Sequence, residues 1–186
     1  TCEPPQLIVF SCEQFDPFTS RLSRFAIESS SSGRTGLMKR VLCVVGTRPE
    51  AIKMAPVITA CRKQPWANVR VLATAQHREM LDQVFDLFEI TPDIDLNIMQ
   101  ENQTLPELTA RLMTALDQAF ASEDPDAVLA QGDTSTVMVA ALAAFYRRIP
   151  FGHVEAGLRT GDLAYPFPEE MNRVVAGRLA RWQSDR

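Results

Sequence analysis

From Met38 onward, short unbroken apolar runs alternate with longer stretches in which apolar residues recur at helical spacing. The unbroken runs 40–45, 69–75, 94–99, 127–130 and 151–154 read as strands. The periodic stretches 49–63, 77–89, 106–121, 136–147 and 168–181 read as helices. In the second of these, Met80, Leu81, Val84, Leu87 and Phe88 are expected on one face. Thr47 followed by Glu50 is a capping-box signature for the first helix. Pro56 lies inside that helix and is expected to kink or divide it. Asp124-Pro125-Asp126 reads as a turn.

Strands alternating with helices imply βαβ units around a parallel sheet. Such strands are covered on both faces, which accounts for runs that are apolar throughout rather than at alternate positions. The expected fold class is therefore α/β, a Rossmann-like doubly wound parallel sheet spanning 38–186. Residues 1–37 differ in character. They end in Ser29-Ser30-Ser31-Ser32-Gly33, a flexible-linker composition, and are expected to be a disordered or non-native extension. The apolar patch 7–10 is too brief for a signal-peptide core and has no basic lead-in.

At 186 residues the chain can bury a core of ordinary size, and its 46% hydrophobic content is that of a globular domain. No apolar stretch approaches the roughly 20 residues of a membrane span. A net charge of -4 gives no overall basic field, so a nucleic-acid partner is not expected. Cys2, Cys12, Cys43 and Cys61 form no CxxC pair, and His77 and His153 are the only histidines. A zinc site is therefore not expected, nor a disulfide scaffold, and a reducing cytoplasmic location is.

In an open parallel sheet, ligands bind beyond the carboxyl ends of the strands. There this sequence places Gly46-Thr47-Arg48-Pro49-Glu50, Gln76-His77-Arg78, Gln131-Gly132-Asp133-Thr134-Ser135 and Glu155-Ala156-Gly157-Leu158-Arg159. Neither a GxGxxG fingerprint nor a P-loop is present. The first segment sets a helix amino end beside Arg48 and one turn from Lys53. That suits a phosphate or diphosphate, or equally a capped helix with surface charges. Asp133 taken alone reads as a helix N-cap. Glu155 follows an apolar strand and is expected to be poorly solvated, with a raised pKa and a capacity for proton exchange near neutrality. His153 is expected to be a packed imidazole on the other face. Glu169 and Glu170 open the last helix, where the helix dipole favours acids.

Taken together, GTRPEAIKMAP, TAQHREMLDQVF, GDTST, HVEAGLRTGD and PFPEEMNR resemble the bacterial non-hydrolysing UDP-N-acetylglucosamine 2-epimerases, in order and over about residues 38–180. The resemblance implies the amino-terminal domain of a two-domain glycosyltransferase-B-like fold, with substrate in the cleft between the domains. It implies interconversion of UDP-GlcNAc and UDP-ManNAc by elimination and readdition of UDP through 2-acetamidoglucal. Arg48 and Lys53 correspond to substrate and phosphate contacts, and Asp133, Glu155 and Glu169 to acid/base carboxylates. The resemblance leaves undivided which carboxylate removes the proton and which returns it. Gln76, His77 and Arg78 correspond to an allosteric region near a second UDP-GlcNAc. No metal or redox cofactor is implied, and a homodimer is implied for the full-length family.

Arg159 and Glu170 are expected to be structural. The tail 181–186 does not resemble the family's continuation, which runs into a further strand, and the family's second domain is expected to be missing. A truncated or frameshifted product with little turnover of its own is the expectation. The alternatives are a non-catalytic nucleotide-sugar-binding or subunit-interaction fragment, half of a nucleotide-sugar glycosyltransferase, or a hydrolysing relative.

Overall fold

A computed structural model describes residues 38–74, 78–98, 100, 102–157 and 159–184. The strands are β1 (Lys39–Val45), β2 (Ala67–Ala73), β3 (Ile94–Asp95), β4 (Ala127–Gln131), β5 (Phe151–Val154) and β6 (Trp182–Ser184). The helices are α1 (Arg48–Arg62), α2 (Arg78–Leu87), α3 (Leu105–Glu123), α4 (Ser135–Tyr146) and α5 (Glu169–Leu179). The strands form one parallel sheet in the order β3-β2-β1-β4-β5-β6. This is the expected α/β Rossmann-like doubly wound sheet, and its strand order reverses between β1 and β4.

Along β1, side chains alternate between two cores. Cys43 and Val45 pack with Met54, Val57 and Ile58 of α1 and Phe85 of α2 on one face. Leu42 and Val44 pack with Leu112, Leu116 and Phe120 of α3, Ala140 of α4 and Ala176 of α5 on the other. Each fully buried Leu, Ile or Phe contributes about 1.5–3 kcal/mol of transfer free energy. No helix among the described residues is long and apolar enough to cross a membrane.

Several sequence expectations are corrected. Pro56 does not divide α1, which runs unbroken through it. Its missing N–H costs one helical bond, but Met54, Ala55, Val57 and Ile58 on either side are fully buried and hold the helix together. In α2, Leu81, Val84 and Phe85 are buried while Leu87 is 61% exposed. The 3.6-residue period selects 81, 84, 85 and 88 as one face and leaves 87 off it. The third strand stops at Asp95, because Asn97 adopts φ 42° and its N–H is taken by Asp95 Oδ1 at 3.1 Å.

The tail expectation is also corrected. Residues 182–184 are a strand, pairing with β5 in parallel, and the Ala156 N–H donates to the Ser184 carbonyl at 2.8 Å. Burial of the Trp182 ring in the first core fixes this strand in place.

Candidate functional site

The carboxyl ends of β1, β4 and β5 meet in one crevice at the reversal of strand order, and α1 and α4 begin there. Gly46, which ends the β1 exit, is crowded. A Cβ at that position would lie 2.8 Å from Thr136 Oγ1, 3.0 Å from Thr74 Oγ1 and 3.1 Å from Glu50 Oε2. Only glycine lets the loop approach so closely. Thr74 and Thr136 are both buried, and their hydroxyls are 3.3 Å apart.

Glu50 supplies the carboxylate half of the expected capping box. Its Oε2 accepts from the Gly46 N–H at 2.6 Å and the Thr47 N–H at 2.9 Å. The sequence reading stopped at that cap. In the structure Glu50 is only 3% exposed, and its Oε1 is hydrogen-bonded to the Thr134 hydroxyl at 2.7 Å. Burial pushes its carboxyl up to about 7, against the hydrogen bonds from Thr134, Gly46 and Thr47, with the neighbouring Asp133 charge adding to the rise.

Gly132 turns the chain out of β4 with φ +91°, a conformation glycine adopts without strain. The next helix is capped by Thr134, whose side chain accepts from the Val137 N–H, and not by Asp133. Asp133 is instead held from α5. The Arg173 guanidinium donates to Asp133 Oδ2, and Asn172 Nδ2 donates to the Asp133 carbonyl at 2.9 Å. Arg173 also donates to Glu170 Oε2 at 3.1 Å, and Glu170 Oε1 accepts from the Gly161 N–H at 3.2 Å. Burial acts to raise the Glu170 carboxyl. The Gly161 and Thr160 N–H groups, with the Arg173 and Arg159 charges, outweigh it and hold the carboxyl below its ordinary value.

Glu155 sits immediately after β5 in a left-handed conformation, φ 56°, which is uncommon for a residue with a side chain. It was expected to be poorly solvated. Its side chain is 24% exposed, so most of it is covered, and it is ion-paired with Lys53 of α1. The Gln131 side-chain amide donates to the same carboxylate oxygen. His153 is fully buried, and its Nε2 donates to the Gly132 carbonyl at 2.6 Å, buttressing that turn. Burial, with Arg159 and Arg173 nearby, lowers the imidazole pKa against the pull of Gly132 and Asp133.

Of the candidate residues, the structure joins Lys53 directly to Glu155 and ties Asp133 to α5, the helix that Glu169 opens. Glu169 is partly exposed, while its neighbour Glu170 is the buried one. Arg48 is exposed at the first position of α1. Arg78 opens α2, and Gln76 and His77 lie outside the described residues. Sequence reasoning placed Gln131 at the sheet edge without a role, and missed Asn172 and the buried role of Glu50. A polar Gln closing an otherwise apolar strand was the available signal for the first of these.

Residues 59–184 match the family model described as UDP-N-acetylglucosamine 2-epimerase. The chain belongs to this family. The match runs through β6, so the tail to Ser184 lies within the epimerase pattern. The UDP-N-acetylglucosamine 2-epimerase of Escherichia coli K12 is 59% identical over 143 residues, covering 77% of this chain and 38% of that protein. The UDP-GlcNAc 2-epimerase of Neisseria meningitidis, solved bound to UDP-GlcNAc, superposes with a TM-score of 0.75 at 54% identity, over 77% of this chain and 39% of that one. S. aureus MnaA, solved with UDP, superposes with a TM-score of 0.75 at 52% identity, over 78% of this chain and 38% of that one. The chain thus spans well under half the length of these proteins.

Proposed function

We propose that this chain forms the amino-terminal wall of a UDP-GlcNAc 2-epimerase site. The C2 proton of the sugar is not acidic, because no carbonyl adjoins it. Breaking the C1–O bond sends its electron pair to the UDP phosphate and leaves oxocarbenium character at C1. That charge acidifies the C2 proton, and its transfer to a carboxylate gives 2-acetamidoglucal. Protonation of C2 from the opposite face and readdition of UDP at C1 yield the epimer.

In this reading Arg48 and Lys53 hold the diphosphate, and Asp133, Glu155 and Glu169 stabilise the cation and carry the proton. The observation that carries it is the Lys53–Glu155 ion pair across the crevice. A diphosphate arriving at the α1 amino end competes for Lys53, and transfer of Lys53 to the phosphate leaves Glu155 free to act on the sugar. The relative solved with UDP-GlcNAc, at 54% identity, supports the choice of ligand. A homodimer belongs to the same proposal, and light scattering checks it.

The test is titration of the purified chain with UDP-GlcNAc, followed by analysis for UDP-ManNAc in D2O. Binding with little turnover is expected of this chain by itself. Any UDP-ManNAc formed should carry deuterium at C2. Absence of UDP-GlcNAc binding overturns the reading, and product without C2 deuterium overturns the elimination mechanism.

A further inference from the structure

Glu155 holds φ 56° with a side chain in place, and such a conformation persists only where its surroundings enforce it. The two peptide groups that flank it are both tied down. The Val154 carbonyl accepts from the Gly132 N–H at 3.2 Å, and the Ala156 N–H donates to the Ser184 carbonyl at 2.8 Å. The Ala156 carbonyl in turn accepts from the Arg159 guanidinium. Ala156, the residue after Glu155, is thus gripped on both sides, and it is buried.

Both grips lead to one point on α5. Gly177 lies inside that helix, where glycine is less favourable than alanine. Its missing side chain has a use. A Cβ there would lie 2.8 Å from Arg159 Nη2, so the guanidinium occupies the notch that glycine leaves open, although much of the arginine is exposed. The Gly177 carbonyl accepts from Gln183 Nε2 at 2.5 Å, and Gln183 precedes Ser184 in β6. The Arg159 charge also reaches Glu170 of α5 and helps to hold its carboxyl below the ordinary value.

We propose that Arg159 is a positioning residue for Glu155, seated at Gly177, so that α5 sets two candidate carboxylates at once, Asp133 through Arg173 and Glu155 through Arg159. The proposal rests on the nucleotide-sugar reading of the crevice, in which Glu155 acts on the sugar. Arg159, expected to be structural, thereby aims a reacting group. Holding a residue with a side chain left-handed costs about as much as one charge-assisted hydrogen bond supplies. Loss of the arginine contact therefore tips the balance and releases the turn.

Gly177→Ala is the discriminating variant. The atom its methyl group meets is the mobile end of the Arg159 side chain, so the guanidinium is displaced while the helix, which alanine favours, keeps its fold. In the ligand-free chain, Glu155 is expected to show the strong intraresidue amide-to-Hα NOE that a positive φ produces, together with NOEs between the Lys53 and Glu155 side chains. In G177A and in R159A the first is expected to fall to the level of Val154 and the second to vanish. The G177A melting point is expected to lie no more than about 3 °C below wild type. The double variant is expected to match R159A, since both changes remove one contact. Survival of the Glu155 signature in either single variant, or a further change at Glu155 in the double variant, overturns the proposal. So does a signature lost from G177A only together with its melting transition. If R159A does not fold, G177A decides alone. Titration of the wild-type chain with UDP-GlcNAc is a separate arm. Failure to bind overturns the nucleotide-sugar reading, while the ligand-free NOEs still decide whether Arg159 holds Glu155.

Discussion

Arg173 of α5 reaches back 40 residues along the chain to hold the Asp133 carboxylate, and its other guanidinium nitrogen holds Glu170. One cation thus aligns a candidate catalytic carboxylate with the helix that follows it. Arg173→Ala leaves two carboxylates without their cation at a site where the arginine is only 7% exposed. Differential scanning calorimetry should record a melting point lower by roughly 5–10 °C, since removing one partner of a buried pair strands the other. A melting point unchanged from wild type rules out the clamp.

Glu50 makes stability depend on pH. Its carboxyl moves from 4.5 to about 7 on folding, so the folded state holds the proton more tightly than the unfolded chain. That contribution is complete below pH 4.5, declines as the pH rises through 7, and is absent above. At about 1.4 kcal/mol for each pH unit between the two values, the upper bound is about 3 kcal/mol. Urea unfolding across this range should show E50Q gaining on wild type as the pH rises. A constant difference between the two proteins refutes the raised value.

At Gly46, an added methyl group meets Thr136 Oγ1 at 2.8 Å, and Thr136 is buried and β-branched, with little freedom to move aside. Gly46→Ala should cost about 1–3 kcal/mol of stability. Thr136→Ala removes the colliding atom, so the double variant should be more stable than the sum of the single effects predicts. Strict additivity argues against the contact.

Lys53 separates binding from stability. Its side chain is 43% exposed, and a pair so open to solvent contributes at most about 1 kcal/mol to folding. Lys53→Met should therefore leave the denaturation midpoint nearly unchanged while weakening UDP-GlcNAc binding by roughly tenfold or more. Equal affinity in calorimetry removes Lys53 from the phosphate site.

The elements most legible in the sequence are those whose burial is complete. Phe151–Val154 is apolar at every position but His153, and the strand occupies those four residues. Trp182–Ser184 was not legible, because one aromatic among polar residues carries no period, and only the packing of the ring makes it a strand. At the site, position at a strand end singled out Glu155, whereas Asp133 by position read as a helix cap and was marked only by the family resemblance. Their partners were not readable. Lys53 and Glu155 lie 102 residues apart, and their meeting depends on how the chain returns to the sheet four times, at β2, β3, β4 and β5. Glu50 was read as a cap, which it is. Its burial comes from the Thr134 loop lying over it, a tertiary fact with no local signature.

The reversed strand order has a mechanical consequence. The sheet consists of two three-strand units, β1 to β3 and β4 to β6, stitched along a single seam of four residue pairs from Val41–Ala127 to Val44–Ala130. Lys53–Glu155, Glu50–Thr134 and Thr74–Thr136 all cross the end of that seam. Both hydrophobic cores straddle the same seam, so shear along it would open the crevice and disrupt the packing of the sheet together.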